Sequence, residues 1–292
     1  MRLVVTGASG QLGRLVVTAL LDRVPASDLI LVSRSPGSLA VFAELGATVR
    51  YGDFEQPEHL PSAFDGGERA LVISTIGARD TVLAHRSAFQ AAARAGIGHI
   101  VYTSVPNPRP DNPFPPAQTH AACERDLRSL GIATTILRNA LYSDLRVAIA
   151  AKYIQDGEWT TNIGDGSHAF VARADCADAA AAALTTDAHE GRIYDVTGPE
   201  LIDARRYLEL LAEFGGRPVV LADADDDAYD RYRQAFMADP ANAAYFELFT
   251  GTGTAIRTGY LSGIGTGVED LTGHRPQPLR SAFAAADWRK AR

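Results

Sequence analysis

Short aliphatic runs recur through the first half of the chain, and between them the apolar positions change their spacing. The runs RLVVT (2–6), LILVS (29–33), TVRY (48–51), ALVIST (70–75), HIVYTS (99–104) and TTILR (134–138) are rich in Val, Ile, Leu and Thr. Several are apolar without alternation, the pattern of strands covered on both faces. The stretches between them have helical spacing. In QLGRLVVTALLDR, Leu12, Leu15, Val16, Ala19 and Leu20 share one face. DTVLAHRSAFQAAARAG has Asp80 near its start and Gly96 as a stop signal. Repeated strand–helix alternation predicts right-handed βαβ units and an α/β fold with a doubly wound parallel sheet.

The second half is less regular. GDGS (164–167) predicts a turn between two short strands, and ADCADAAAAAL a helix capped by Asp175. RIYDVTG (192–198) predicts one more strand, followed by helices over about 203–214, 226–250 and 278–289. The acidic DADDD (223–227) lacks the glycine and terminal glutamate of a calcium loop, so it is expected to be a helix start. Residues 1–145, completed by about 170–200, are expected to form the sheet-bearing core. Residues 146–169 and 201–292 should form a smaller, substrate-side α/β lobe.

Composition narrows the function classes. The net charge is −7 and no lysine or arginine run exists, which disfavours a nucleic-acid partner. With only Cys123 and Cys176, a disulfide framework is not expected, and a reducing cytoplasmic setting is. The alanine-rich run near 179–184 is too short to span a bilayer, so no membrane association is expected.

The first strand runs directly into TGASGQLG. Gly7 permits a tight turn, Gly10 lets the backbone approach a pyrophosphate, and Gly13 allows the helix to pack closely on the strand. The helix that follows offers free N–H groups and a positive dipole end, so a dinucleotide is the expected ligand. At the end of the second strand an acidic residue would bind ribose hydroxyls, but Ser33 and Arg34 stand there. Arginine can grip a 2′-phosphate bidentately, which favours NADPH over NADH. Asp53 and Phe54 end the third strand, where adenine is expected, and Ser74, Thr75 and Ile76 end the fourth, at the carboxyl edge where doubly wound sheets bind ligands.

Taken with VPAS, VSR, AHRSAFQAAARAGIGHIVYTS and ILRNALYSD, this loop resembles the NmrA-like group of atypical short-chain dehydrogenases. The similarity is greatest to the branch of NADPH:quinone oxidoreductase type 2 and triphenylmethane reductase. It runs on through ARAD (172–175), HEGRIYDV (189–196) and LTGHRPQPL (271–279). The resemblance implies a Rossmann core, bound NADPH and two-electron reduction of a planar conjugated acceptor. It carries over Gly7, Ser9, Gly10, Gln11 and Leu12 as the phosphate loop and Arg34 as the 2′-phosphate contact. Asn139 and Tyr142 fall where such proteins fold their chain beside the nicotinamide, and Arg173 follows the predicted turn near the cofactor. Read from the residues alone, Asn139 could instead cap a helix, and Tyr142 could be core. The implied partner is a small conjugated acceptor such as a quinone, with a homodimer as the assembly to look for.

THAACERD (119–126) sets His120, Cys123 and Glu124 close together. Standard short-chain dehydrogenases carry Tyr-x-x-x-Lys on this helix, both side chains on one face. Here His120 and Glu124 occupy that spacing, and the only lysines in the chain are Lys152 and Lys290. An alkoxide from a simple ketone has a conjugate acid near pKa ~16, judged against water, and needs a positioned acid. A reduced quinone resembles a phenolate, near ~10, which water can protonate. Metal and thiol chemistry are disfavoured, because ligands are too few and Cys123 has no evident base. His120 is a candidate proton relay, with exposed helix surface as the plainer expectation. Phe114, in the proline-rich loop PNPRPDNPFPP (106–116), is a candidate stacking surface for the acceptor. An NADP(H)-binding redox sensor with little catalysis is the rival reading, and an isomerase of the extended group is a weaker one.

Overall fold

The computed structural model describes residues 1–75, 78–240, 242 and 251–288. The strands are β1 (Leu3–Thr6), β2 (Leu29–Ser33), β3 (Thr48–Tyr51), β4 (Arg69–Val72), β5 (His99–Ser104), β6 (Ala133–Asn139), β7 (Glu158–Thr161), β8 (Ile193–Val196) and β9 (Val220–Asp223). The helices of the first half are α1 (Gln11–Leu21), α2 (Ala40–Glu44), α3 (Leu60–Phe64), α4 (Thr81–Arg94) and α5 (Pro115–Arg128). Those of the second half are α6 (Ser143–Asp156), α7 (Arg173–Thr185), α8 (Ala204–Gly215), α9 (Asp226–Met237), α10 (Thr252–Arg257), α11 (Gly267–Thr272) and α12 (Leu279–Ala285).

Seven strands form one sheet in the order β3-β2-β1-β4-β5-β6-β8, and every pairing in it is parallel. The order reverses between β1 and β4, which places a ligand crevice at their carboxyl ends. Consecutive residues of each strand feed opposite layers. Leu3 and Val5 join α1 and α7 on one face, whereas Val4 joins α3, α4 and α5 on the other. Burial on both faces explains the unbroken apolar runs. Helix α7 is buried nearly all round, because alanine side chains let it sit tightly between α1 and α11. Among the described residues no helix is long and apolar enough to cross a membrane.

β7 and β9 make a separate two-stranded parallel sheet. A third apolar cluster packs beside it, built on Tyr153, Trp159, Tyr207, Leu210 and Phe283. Here three sequence expectations are corrected. The GDGS turn forms, with Gly166 N–H donating to Ile163 O at 3.0 Å, but its flanks do not pair as a hairpin. A Cβ on Gly166 would lie 2.5 Å from Ile256 O, so the turn is pressed onto α10. His168 then bridges to Ile202, and Val171 to Tyr142. Helix α7 starts at Arg173 with Ala172 as its cap, because Asp175 spends its carboxylate on Gln277 N–H at 2.7 Å. The helix expected over 226–250 extends through Met237; residues 241 and 243–250 of that span lie outside the described residues. Asp80 does cap α4, accepting from Leu83 N–H at 2.9 Å, and Asp225 caps α9.

Candidate functional site

Gly7 sits in the left-handed region at φ 64° and accepts from Gly10 N–H at 2.9 Å. The turn drops the chain into α1, whose cap, Gly10, supplies no side chain. The first N–H groups of α1 are thus left to a ligand or water. A Cβ on Gly13 would stand 2.2 Å from Gly7 O, so only glycine lets the helix sit this close to the loop. Leu12 packs into the core beneath, while Gln11 is exposed. Ser9 Oγ and Ser33 Oγ hydrogen-bond at 2.6 Å, and Ser35 N–H donates to Ser33 Oγ at 2.9 Å, tying the loop to the end of β2. Arg14 braces it from α1, with Nε donating to Ser9 O at 3.1 Å. Arg34 is exposed beside these serines and makes no ion pair among the described residues.

Asp53 and Phe54 follow β3. Asp53 accepts from Glu55 N–H at 3.1 Å, and Phe54 meets His85 edge to face. Ser74 and Thr75 lie in the loop just past β4, which ends earlier than its apolar run suggested. Ser74 N–H donates to Thr103 Oγ1 at 2.8 Å. Ile76 lies outside the described residues.

Thr75 N–H donates to His85 Nε2 at 2.9 Å, and this bond orders a buried chain. Burial lowers the His85 pKa to about 4 and that of His120 to about 3, so both are neutral near pH 7. His85 must then carry its proton on Nδ1, which faces Tyr102 Oη at 3.1 Å and Cys123 Sγ at 3.3 Å. Tyr102 O–H is left to donate to His120 Nδ1 at 2.8 Å. His120 is thus 6% exposed in place of the expected helix surface. Cys123 is fully buried, and burial raises its thiol pKa to about 11, the opposite of an activated nucleophile. Sequence reasoning missed His85 and Tyr102. The available signal was a histidine on the apolar face of α4.

Glu124 is 1% exposed. Arg138 Nε and Nη2 donate to its two oxygens at 3.0 and 2.9 Å, Arg128 Nη1 reaches Oε2 at 3.2 Å, and Ser104 O–H donates at 2.7 Å. The carboxylate therefore clamps α5 to β5 and β6. Arg138 and Ser104 come from strands distant in sequence, which is why helical spacing alone could not reveal its burial.

At the carboxyl end of β6, Asn139 is 5% exposed, yet neither atom of its amide has a partner among the described residues. It is not the cap of α6, a position taken by Tyr142. The Arg173 guanidinium lies 4.8 Å from the Tyr142 ring centroid and pairs with Asp144 at 3.3 Å. Phe114 is 1% exposed in the lobe's apolar cluster. It therefore offers no open ring face, contrary to expectation: Asn112 Oδ1 accepts its N–H at 2.9 Å and folds it inward.

A glycine turn feeding a helix at the switch point of a parallel sheet defines a dinucleotide-binding α/β protein. A family model described as NAD(P)H-binding matches residues 7–187. Quinone oxidoreductase 2 of Escherichia coli is 34% identical over 224 residues, 76% of this chain and 78% of that protein. Two solved structures superpose closely. Triphenylmethane reductase of Citrobacter sp., complexed with NADP(H), has a TM-score of 0.88 at 31% identity, covering 98% of this chain and 100% of its own. The NADPH complex of the Escherichia coli NADPH-dependent quinone oxidoreductase has a TM-score of 0.89 at 29% identity, covering 97% and 98%. The chain belongs to the NAD(P)H-binding, NmrA-like family.

Proposed function

We propose that the chain is an NADPH-dependent oxidoreductase that reduces a quinone or a similar flat, conjugated acceptor without a dedicated acid. The observation carrying this reading is the condition of α5. His120 is neutral within a hydrogen-bonded chain and Glu124 is clamped by Arg138 and Arg128, so neither is poised to protonate an alkoxide. An acceptor whose reduced anion resembles a phenolate, with a conjugate acid near ~10, takes its proton from water.

The residues present fit a nicotinamide dinucleotide. The main chain at Gly7, Ser9, Gly10, Gln11 and Leu12 would hold the pyrophosphate, and Arg34 the 2′-phosphate. Asp53 and Phe54 would border the adenosine, while Ser74, Thr75, Asn139 and Arg173 would line the nicotinamide side. The orphaned Asn139 amide supports this most directly, because a buried amide without partners costs about 1–3 kcal/mol per group unless a ligand supplies them. The reduced nicotinamide supplies the hydride when bound. Tyr142, held against Arg173, borders the acceptor side. Residues 1–145 with about 170–200 serve as the nucleotide-binding core, and 146–169 with 201–292 as the acceptor-side lobe.

The names of the relatives, a quinone oxidoreductase and a dye reductase, agree with this acceptor class. NADPH consumption measured against a panel of quinones and cationic dyes tests it. Acceptor-dependent oxidation faster with NADPH than with NADH is expected. Tight NADPH binding with no turnover on any acceptor would instead establish the redox-sensor reading.

A further inference from the structure

β4 ends at Val72, and each of the next three N–H groups is held by a side chain from a different element. Ile73 N–H donates to Thr6 Oγ1 at 3.2 Å, Ser74 N–H to Thr103 Oγ1 at 2.8 Å, and Thr75 N–H to His85 Nε2 at 2.9 Å. The acceptors belong to β1, β5 and α4, and none of the three residues is more than 2% exposed. The loop they hold stands at the switch point of the sheet, where a dinucleotide crosses the carboxyl edge. Thr103 O–H donates in turn to Ser74 Oγ at 3.2 Å, so the hydrogen of the Ser74 hydroxyl is left for a group in the crevice.

The three pins differ in kind. A threonine hydroxyl rotates to donate or accept as its surroundings require. The His85 ring cannot turn, because Phe54, Phe89, Tyr102 and His120 all pack around it, with ring centroids 5.6–6.2 Å away. Thr75 N–H can only donate, so Nε2 must keep a bare lone pair and the ring must carry its single proton on Nδ1. Tyr102 Oη stands 3.1 Å from Nδ1 to accept it. A proton on Nε2 would instead set two donors face to face and release Thr75.

We propose that His85 is a positioning residue for the nucleotide: fully buried behind the loop, it fixes the main chain at Thr75, and Ser74 with it, in the shape that receives the nicotinamide half of NADPH. This rests on Ser74 and Thr75 lining the nicotinamide side of the site. The test compares two amide variants of the full chain. In His85→Gln the side chain is long enough to place an oxygen where Nε2 was, whereas in His85→Asn it reaches only the place of Nδ1. Both lose the ring contact with Phe54, so any cost on the adenosine side is common to them. NADPH and adenosine 2′,5′-bisphosphate, which lacks the nicotinamide half, are titrated into each. His85→Asn should bind NADPH roughly tenfold or more weaker than His85→Gln, while the bisphosphate binds both equally. Equal NADPH affinity in the two variants, or a bisphosphate affinity that falls in step with that of NADPH, would overturn the proposal. Ring-nitrogen NMR of the wild-type chain needs no substitution, so it stands even where a variant fails to fold. Near pH 7 His85 should show a protonated Nδ1 and a bare Nε2, and a protonated Nε2 would overturn the proposal. No acceptor enters these measurements, so a chain without turnover would fail the reductase reading and leave them standing.

Discussion

Gly13 leaves no space for a methyl group, because the carbonyl of Gly7 occupies the place a Cβ would take. Gly13→Ala must therefore push α1 away from the loop. Overpacking of this kind costs roughly 1–3 kcal/mol, and the same shift should weaken NADPH binding at least tenfold. Thermal melting and nucleotide titration measure the two effects. Arg34 makes the complementary test. It is exposed and unpaired among the described residues, so removing it should leave the fold unchanged. Arg34→Gln should raise the Kd for NADPH by roughly tenfold to a hundredfold, the worth of a charge-assisted hydrogen-bond pair, and leave that for NADH nearly unchanged. Equal losses for both nucleotides would remove Arg34 from the 2′-phosphate site. The positions of such residues were legible in the sequence because they are set locally: a glycine turn, a strand end, a helix start. Asn139 was placed correctly at a strand end, but its lack of partners depends on what surrounds it in three dimensions.

At the scale of elements, α5 is the instructive case. Its spacing invites comparison with a catalytic Tyr-x-x-x-Lys helix, yet its polar residues turn inward to hold the helix in place. Glu124 binds Arg138 on β6 and Ser104 on β5, so its role is to fix α5 against the sheet. Glu124→Gln leaves Arg138 without a buried counter-charge and should destabilise the fold by roughly 3 kcal/mol. The turnover of protein that remains folded should change little, which separates a structural clamp from a catalytic acid. The run at β4 continued past the strand's end at Val72. Each strand of the main sheet was nonetheless recovered at its place, the central ones most clearly, because burial on both faces writes an apolar run. The lobe was not. β9 is largely exposed and α10 and α11 are six residues each, so neither a strand pattern nor a helical period had room to develop. The GDGS turn formed but its flanks paired elsewhere, β7 with β9 and His168 with Ile202, partners too distant along the chain for local turn chemistry to reveal.

For the whole molecule, four buried histidines link stability to pH. Burial lowers the pKa values of His85, His99 and His168 to about 4 and that of His120 to about 3. The unfolded chain binds protons at these sites near the ordinary imidazole value of about 6.5, whereas the folded chain resists them. Their stabilising contribution is thus complete above that value. It is lost as pH falls through the window from about 6.5 to about 4, at roughly 1 kcal/mol per histidine per pH unit. The Tm should fall steeply through this window, and less steeply in a His120→Gln variant. A Tm that is flat from neutrality to about pH 4 would contradict the buried neutral chain. The same chain bears on function, since a neutral, enclosed His120 cannot act as an acid whose titration shapes the rate near neutrality. The most direct measurement of the central claim is therefore the quinone-dependent rate of NADPH oxidation at saturating nucleotide, followed from roughly pH 6 to 9. A rate far above the acceptor-free background is expected, with kcat nearly level across that range. No acceptor-dependent rate, or a kcat governed by a single acidic group that vanishes in His120→Gln, would contradict it.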